Sequence, residues 1–218
     1  TEKAAAVLET DGSLPETFPV LRQVFSHAER RTLLARHRTR LVASDPYVRL
    51  LEASWPDVES LPFLARVSYA EARTYMHDVL LRDTDQMSMR HGLEVRVPLL
   101  DHTLVEYAMG LSDDVRQAGG GPKALLAASL DGVLPPDVIR RPKRGFVFPF
   151  AAWMRTALRP YVEARLLGGT LDERAGLDGE PVRRLWARFL EGGHDERWSR
   201  LWTLVALSDW LESNGAAV

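Results

Sequence analysis

Only one stretch of this 218-residue chain reads as extended, Glu94 to Leu100 in HGLEVRVPLLDH, and no second strand is available to pair with it. Helical punctuation surrounds it. Ser26-His-Ala-Glu29 and Ser68-Tyr-Ala-Glu71 have the form of capping boxes, in which the serine accepts from the N3 amide and the glutamate reaches back. The first predicts a helix to about Val42, with Leu33, Leu34, His37 and Leu41 near one face. The second predicts the longest helix, about 69–90, with Tyr69, Ala72, Tyr75, Met76, Val79 and Leu80 at helical spacing. Asp45-Pro46 separates a short helix over 46–54. Gly92 stands where a left-handed residue usually closes a helix, and Pro98 holds Val97 to extended geometry. Further helices are predicted over 102–110 behind an Asp101 cap, from Pro122 through Lys123 to Leu130, and from Leu134 to Ile139. Others follow around Trp153 and Met154, and over 159–167, 179–191 and 195–213, with glycine-rich breaks between them; 140–150 reads as irregular. A lone extended run cannot make a sheet, so the fold class is mostly α.

The composition excludes several function classes. A net charge of −2 gives no global attraction to nucleic acid or an anionic membrane. The absence of cysteine rules out disulfides and thiolate metal sites and fits a reducing compartment, so a cytoplasmic location is expected. No apolar run approaches the ~20 residues of a membrane span, and no signal-peptide core opens the chain. The chain starts on Thr1, and TEKAAAVLETDGSLPE reads as a poorly ordered lead-in over 1–20 before a single helical domain over 21–218. The expectation is a piece of a longer protein. Five of the six tryptophans lie in the C-terminal third, which suits a helical core or a homo-oligomer interface equally.

Glu94 and Arg96 are the first candidates for chemistry. Side chains two apart on an extended backbone share a face, so these two point together while Val95 and Val97 are expected to enter the core. The pair reads either as a structural ion pair or as a carboxylate that orients an amine or takes its proton, braced by a cation. Asp101 would lie roughly 23–25 Å from Glu94 along a near-extended chain, too far to share a proton, and reads as a helix cap. Arg140-Arg-Pro-Lys-Arg144-Gly145 packs four cations into five positions, which is either a solvated loop or a clamp for phosphate. In the clamp, Lys143 is a mobile point charge, Arg141 one of the planar forks, and Gly145 shapes the turn. Gly119-Gly-Gly-Pro-Lys123 lacks both the spacing and the preceding strand of a phosphate-binding loop. The Arg30–Arg40 cluster reads as a solvated or partner-facing helix surface, and the six histidines show no zinc-ligand spacing.

Two blocks resemble the synthetase domain of glutamine-dependent (class II) asparagine synthetases. The first is LLRDTDQMSMRHGLEVRVPLLDHTLVEYA, with Asp85, Ser88, Met89, Leu93-Glu94, Arg96-Val97-Pro98, Leu100-Asp101 and Glu106 as matching elements. The second comprises Lys123 ahead of Leu125-Leu126, then Leu134-Pro135, then RPKRGFVFPFAAWMR. Together they span about Tyr69 to Trp153, with weaker similarity as far as Trp202 to Trp210. Gln86 stands where the family often has arginine, so no phosphate contact is carried over there. The resemblance implies the helical C-terminal part of an adenine-nucleotide α-hydrolase-like synthetase domain, without its parallel sheet. It also implies ATP-dependent amide formation with Mg2+: an aspartate-like carboxylate is adenylated, and ammonia from a separate glutaminase domain attacks it. Glu94 would then sit near the reacting amine, Lys143 would stabilise charge on the adenylate and leaving phosphates, and Arg96 would brace Glu94. Lys123, Arg141 and Gly145 would line the nucleotide site.

The SGGxDS pyrophosphate loop of that family, and the nucleophilic cysteine of its glutaminase, do not occur in this sequence. The expected partners are therefore the rest of the synthetase domain and a glutaminase domain, and the chain is expected to be inactive alone. A β-lactam synthetase or lasso-peptide cyclase relative would use the same half-site, and a non-catalytic helical binding module is the alternative of a different class.

Overall fold

A computed structural model describes residues 2–34, 45–118, 120, 123–142, 148–192 and 197–217. Helices follow one another along the chain: α1 (Glu2–Leu8), α2 (Leu14–Arg22), α3 (His27–Leu33), α4 (Pro46–Ser54), α5 (Phe63–Glu71), a wide helical segment Ala72–Leu81, and α6 (Arg82–Met89). Then come α7 (His102–Gly110), α8 (Asp113–Arg116), α9 (Ala124–Ser129), α10 (Pro136–Ile139), α11 (Phe150–Arg155), α12 (Arg159–Leu167), α13 (Thr170–Ala175), α14 (Gly179–Leu190) and α15 (Trp198–Asn214). Among the described residues there is no strand, only an isolated antiparallel bridge between Leu34 and Leu177. The fold is mostly α, as the sequence implies. Contacts divide it into two compact units, one of residues 1–10, 20–45 and 145–218, the other of residues 11–19 and 46–144.

The first unit has its own core. Helix α15 buries Leu201, Leu204, Val205, Ser208 and Leu211 at spacings of three and four, so one stripe faces inward. Val162 and Leu166 of α12, Leu171 and Ala175 of α13, and Val182, Leu185, Trp186 and Phe189 of α14 close on that stripe, with Met154 beneath them. Polar clamps fix the helices at the rim. The Arg155 guanidinium lies 4.0 Å above the Phe189 ring and donates from Nε and Nη2 to the Phe189 carbonyl at 3.1 and 2.9 Å, satisfying a carbonyl in the last turn of α14. Tyr161 and Arg165 of α12 both donate to Asp209 of α15. The capping box at Ser26 forms as read: Ser26 Oγ accepts from the Glu29 amide at 3.2 Å, and Glu29 Oε2 accepts from the Ser26 amide at 2.7 Å. Its helix ends at Leu33, well short of the expected Val42: Leu34 turns extended, with φ −80° and ψ 136°, and bridges to Leu177, while residues 35–44 lie outside the described residues.

The second unit has a smaller core, where Phe18, Leu51 and Ala70 pack with Leu14. Phe18 and Leu14 belong to α2, inside the stretch read as a lead-in. The long helix differs from the sequence reading in two ways. It starts at Phe63, and the proposed cap Ser68 lies inside it, donating to the Leu64 carbonyl at 2.8 Å. The N-terminal amide of Leu64 is instead met by the Asp113 carboxylate at 3.2 and 3.3 Å, from a position distant in sequence. The second difference lies in Ala72–Leu81, which adopts the wider π-type i→i+5 helix. More residues per turn dissolve the stripe that α-spacing predicted. Thr74 and Ala70 are buried, whereas Tyr75, Val79 and Leu80 are exposed.

Two opposite stability changes are expected from the first core. Leu201→Ala removes a fully buried side chain and should cost about 2–5 kcal/mol. Ser208 is equally buried and its hydroxyl has no partner among the described residues, so Ser208→Ala should gain about 1 kcal/mol by deleting an unsatisfied group. Urea unfolding followed by tryptophan fluorescence reads both signs.

Candidate functional site

The first block leaves its helix by a local device. Gly92 takes φ +67°, its amide donates to Met89 O at 2.9 Å, and the Leu93 amide donates to Ser88 O at 3.0 Å. Those two bonds form a Schellman closure, which the left-handed glycine permits without steric cost. The chain then runs without helix or strand to Val97, turns through Pro98–Leu100, and enters α7 behind Asp101.

Glu94 and Arg96 are brought together as the two-residue spacing requires: Arg96 Nε donates to Glu94 Oε1 at 3.0 Å. Their side chains are 72% and 85% exposed, respectively. An ion pair so open to water contributes about 0–1 kcal/mol, so it orients the carboxylate more than it stabilises the fold. The inward placement expected for Val95 and Val97 is not found; they are 50% and 42% exposed. No strand among the described residues lies beside the run, and without a layer over it both faces meet solvent.

Asp101 is a cap, as read. Its Oδ1 accepts from the Thr103 and Leu104 amides at 3.0 and 3.4 Å and from the Thr103 hydroxyl. The Thr103 hydroxyl, then the two amides, hold its carboxyl below the ordinary aspartate range.

Lys123 is exposed and has φ +59°, the one positive value at a non-glycine position among the described residues. It precedes α9 directly and accepts from the Ala127 amide at 2.9 Å through its carbonyl. Arg141 is exposed, and neither it nor Lys123 makes a side-chain bond to Glu94 or Arg96 among the described residues. Lys143 and Gly145 lie outside the described residues, as do most of the Gly119–Pro122 loop and Arg36–Arg40 of the basic cluster. No group of three or more acidic or histidine side chains that could hold a metal occurs among the described residues. Among the described residues no helix is long and apolar enough to cross a membrane.

One polar cluster escaped the sequence reading. Besides Asp113 at the Leu64 amide, Arg116 Nη2 donates to Ser68 Oγ at 2.8 Å, so α8 is bound to α5 by both its acid and its base. The Ser-Asp-Asp-Val-Arg string was the available signal, but its partners lie about fifty positions upstream.

Residues 5–212 match the asparagine synthase family, and the chain belongs to it. It is 26% identical over 140 residues to asparagine synthetase 1 (glutamine-hydrolyzing) of Bacillus subtilis strain 168, covering 64% of this chain and 22% of that protein. Over 64 residues it is 42% identical to asparagine synthetase 3 (glutamine-hydrolyzing) of the same organism, covering 29% of this chain and 10% of that protein. Asparagine synthetase (glutamine-hydrolyzing) of Bos taurus is 34% identical over 96 residues, covering 41% of this chain and 17% of its own. The matched stretches thus span less than a quarter of each of these relatives. No solved structure matches the chain.

The Asp101 cap should respond to acid with a definite sign. Its folded pKa is depressed, so its contribution is complete above the unfolded carboxylate value near 3.9 and disappears as pH falls through the lower folded value. Protection of the Thr103 and Leu104 amides, taken relative to intrinsic exchange at the same pH, should be constant from pH 5 to about pH 4 and fall only below it, whereas in Asp101→Asn it should not change over that range.

Proposed function

We propose that this chain supplies the helical C-terminal part of the synthetase site of a glutamine-dependent, asparagine synthetase-type amidotransferase. Family membership over nearly the whole chain supports the class. The observation that carries the site is the Glu94–Arg96 pair, a carboxylate oriented by a guanidinium at 3.0 Å on an open run just beyond a helix end.

In this reading a carboxylate oxygen of an aspartate-like substrate attacks the α-phosphorus of ATP, and pyrophosphate leaves. Ammonia released from glutamine elsewhere in the protein then attacks the acyl carbon, the bond to AMP breaks, and a proton passes from nitrogen to Glu94. Arg96 keeps that carboxylate aimed. Lys143 stabilises negative charge on the phosphates, Arg141 adds a planar fork, Gly145 lets the loop approach, and Lys123 adds a further cation to the nucleotide wall. These cations suit a polyphosphate. Among the described residues no cluster of acidic or histidine side chains offers Mg2+ a seat.

The openness of the pair supports dependence on the rest of a longer enzyme. Charge-stabilising groups act strongly only where water is excluded, and here both partners are solvated. Purified alone, the chain should form no asparagine and no AMP from aspartate, ATP and ammonia; robust AMP release would overturn that. In the longer enzyme, Glu94→Gln and Lys143→Ala should each lower kcat by about 100-fold or more with the helical circular dichroism intact. Unchanged turnover in both variants would favour a non-catalytic binding module.

A further inference from the structure

Helices α3 and α14 pack side by side within the unit that contains 20–45 and 145–218, but side chains do not fill the groove between them. A cavity of about 530 Å³ remains there and opens to solvent. The buried side chains of Phe25, Leu33 and Leu185 line its inner part, and the exposed Ala28 and Ala187 line it nearer the surface. Both ends of α3 are tied down, so the helix cannot slide inward to close the gap. Near its start, Glu29 Oε1 pairs with Arg200 Nη1 of α15 at 2.7 Å. Past its end, the Asp178 amide donates to the Leu33 carbonyl at 2.7 Å, and Leu34 bridges Leu177. With the spacing fixed, two alanines are too small to fill it. The volume lies within the ~300–1,000 Å³ of small-molecule sites. Water there meets few polar groups, and an apolar body that displaces such water gains affinity.

The polar groups decide the charge of the ligand. Glu29 is already engaged, by Arg200 through Oε1 and by the Ser26 amide through Oε2, and the Thr32 hydroxyl donates to the Ala28 carbonyl at 3.1 Å. On the α14 side, the one carboxylate of Glu180 is shared by Arg183 and Arg184, at 3.2 Å from each. Positive charge is therefore left over. Arg184 lines the cavity and, among the described residues, bonds only through Nη1, which leaves Nε and Nη2 as the planar edge that suits a carboxylate. Arg188, one turn on, lines the same wall.

We propose that the groove between α3 and α14 binds a small amphipathic monocarboxylate. Its aliphatic or aromatic body lies against Phe25, Leu33 and Leu185, and its carboxylate rests on Arg184. A polyphosphate would leave the apolar walls uncovered, and a neutral hydrocarbon would leave Arg184 sharing Glu180 as before. The site uses none of the residues assigned to the synthetase reaction and stands without that reading.

Calorimetric titration of the 218-residue chain with octanoate, and with octan-1-ol as its neutral counterpart, tests this. The expected result is a single saturable octanoate site, with the alcohol bound about 10-fold more weakly or less. Arg184→Gln should lower octanoate affinity to that of the alcohol. Ala187→Trp, which fills the cavity, should abolish binding of both. Arg184 and Ala187 are exposed, so both variants should keep the helical circular dichroism. Absence of saturable octanoate binding overturns the proposal. Equal affinity for acid and alcohol, unaltered by Arg184→Gln, also overturns it, because the groove is then merely apolar. Octanoate binding that survives Ala187→Trp places the ligand elsewhere and overturns it too.

Discussion

At Gly92 the backbone turns left-handed while the Leu93 amide still reaches back to the helix just completed, and the placement of the candidate carboxylate depends on this turn. A side chain at 92 would disfavour that conformation, and a continued helix would swing Glu94 and Arg96 about 200° apart around its axis. The release frees the next residues from the helix, and Glu94 and Arg96 meet side chain to side chain. Asp101 then gathers the amides of the following helix and ends the run. Two short-range caps therefore define both limits of the segment, and its geometry needs no distant support.

Such local devices are what the sequence makes legible. The Ser26 box, the Gly92 closure, the Asp101 cap and helix 159–167 all follow from residues within one or two turns of each other, and all are present. The misreadings have long-range or collective causes. Helix α5 starts early because a carboxylate from α8 serves its first turn, and a local pattern search finds only the nearer serine. The stripe through Tyr75, Val79 and Leu80 assumed 3.6 residues per turn, which the wide helix does not keep. Helix α13 was missed because it is short and lies between the glycines at 169 and 176. The outward valines of the extended run follow from the absence of a covering layer, which no local pattern encodes. For the site, the pairing of Glu94 with Arg96 was legible from a period of two, while its solvent exposure was not.

The two units differ in how their apolar residues are used. In the unit containing 145–218, helices α12 to α15 satisfy one another and stack Trp186 against Phe189 within a shared core. In the unit containing 46–144, the buried set is small and mainly aliphatic, and many large side chains between Phe63 and Val138 remain exposed. Helix packing accounts for the first unit without further parts. In the second it accounts for the framework of α4, α5 and α8, but not for the composition of α6, α7 and the run between them.

Lys123 has a consequence of its own. Its left-handed backbone costs an L-residue roughly 1–2 kcal/mol, a penalty that glycine would escape and asparagine would lessen. Directed evolution for heat tolerance alone would therefore drift toward those residues at this position. Such a selection would discard an ammonium group for a purely backbone reason, so what a thermal screen favours at position 123 would be set by φ alone.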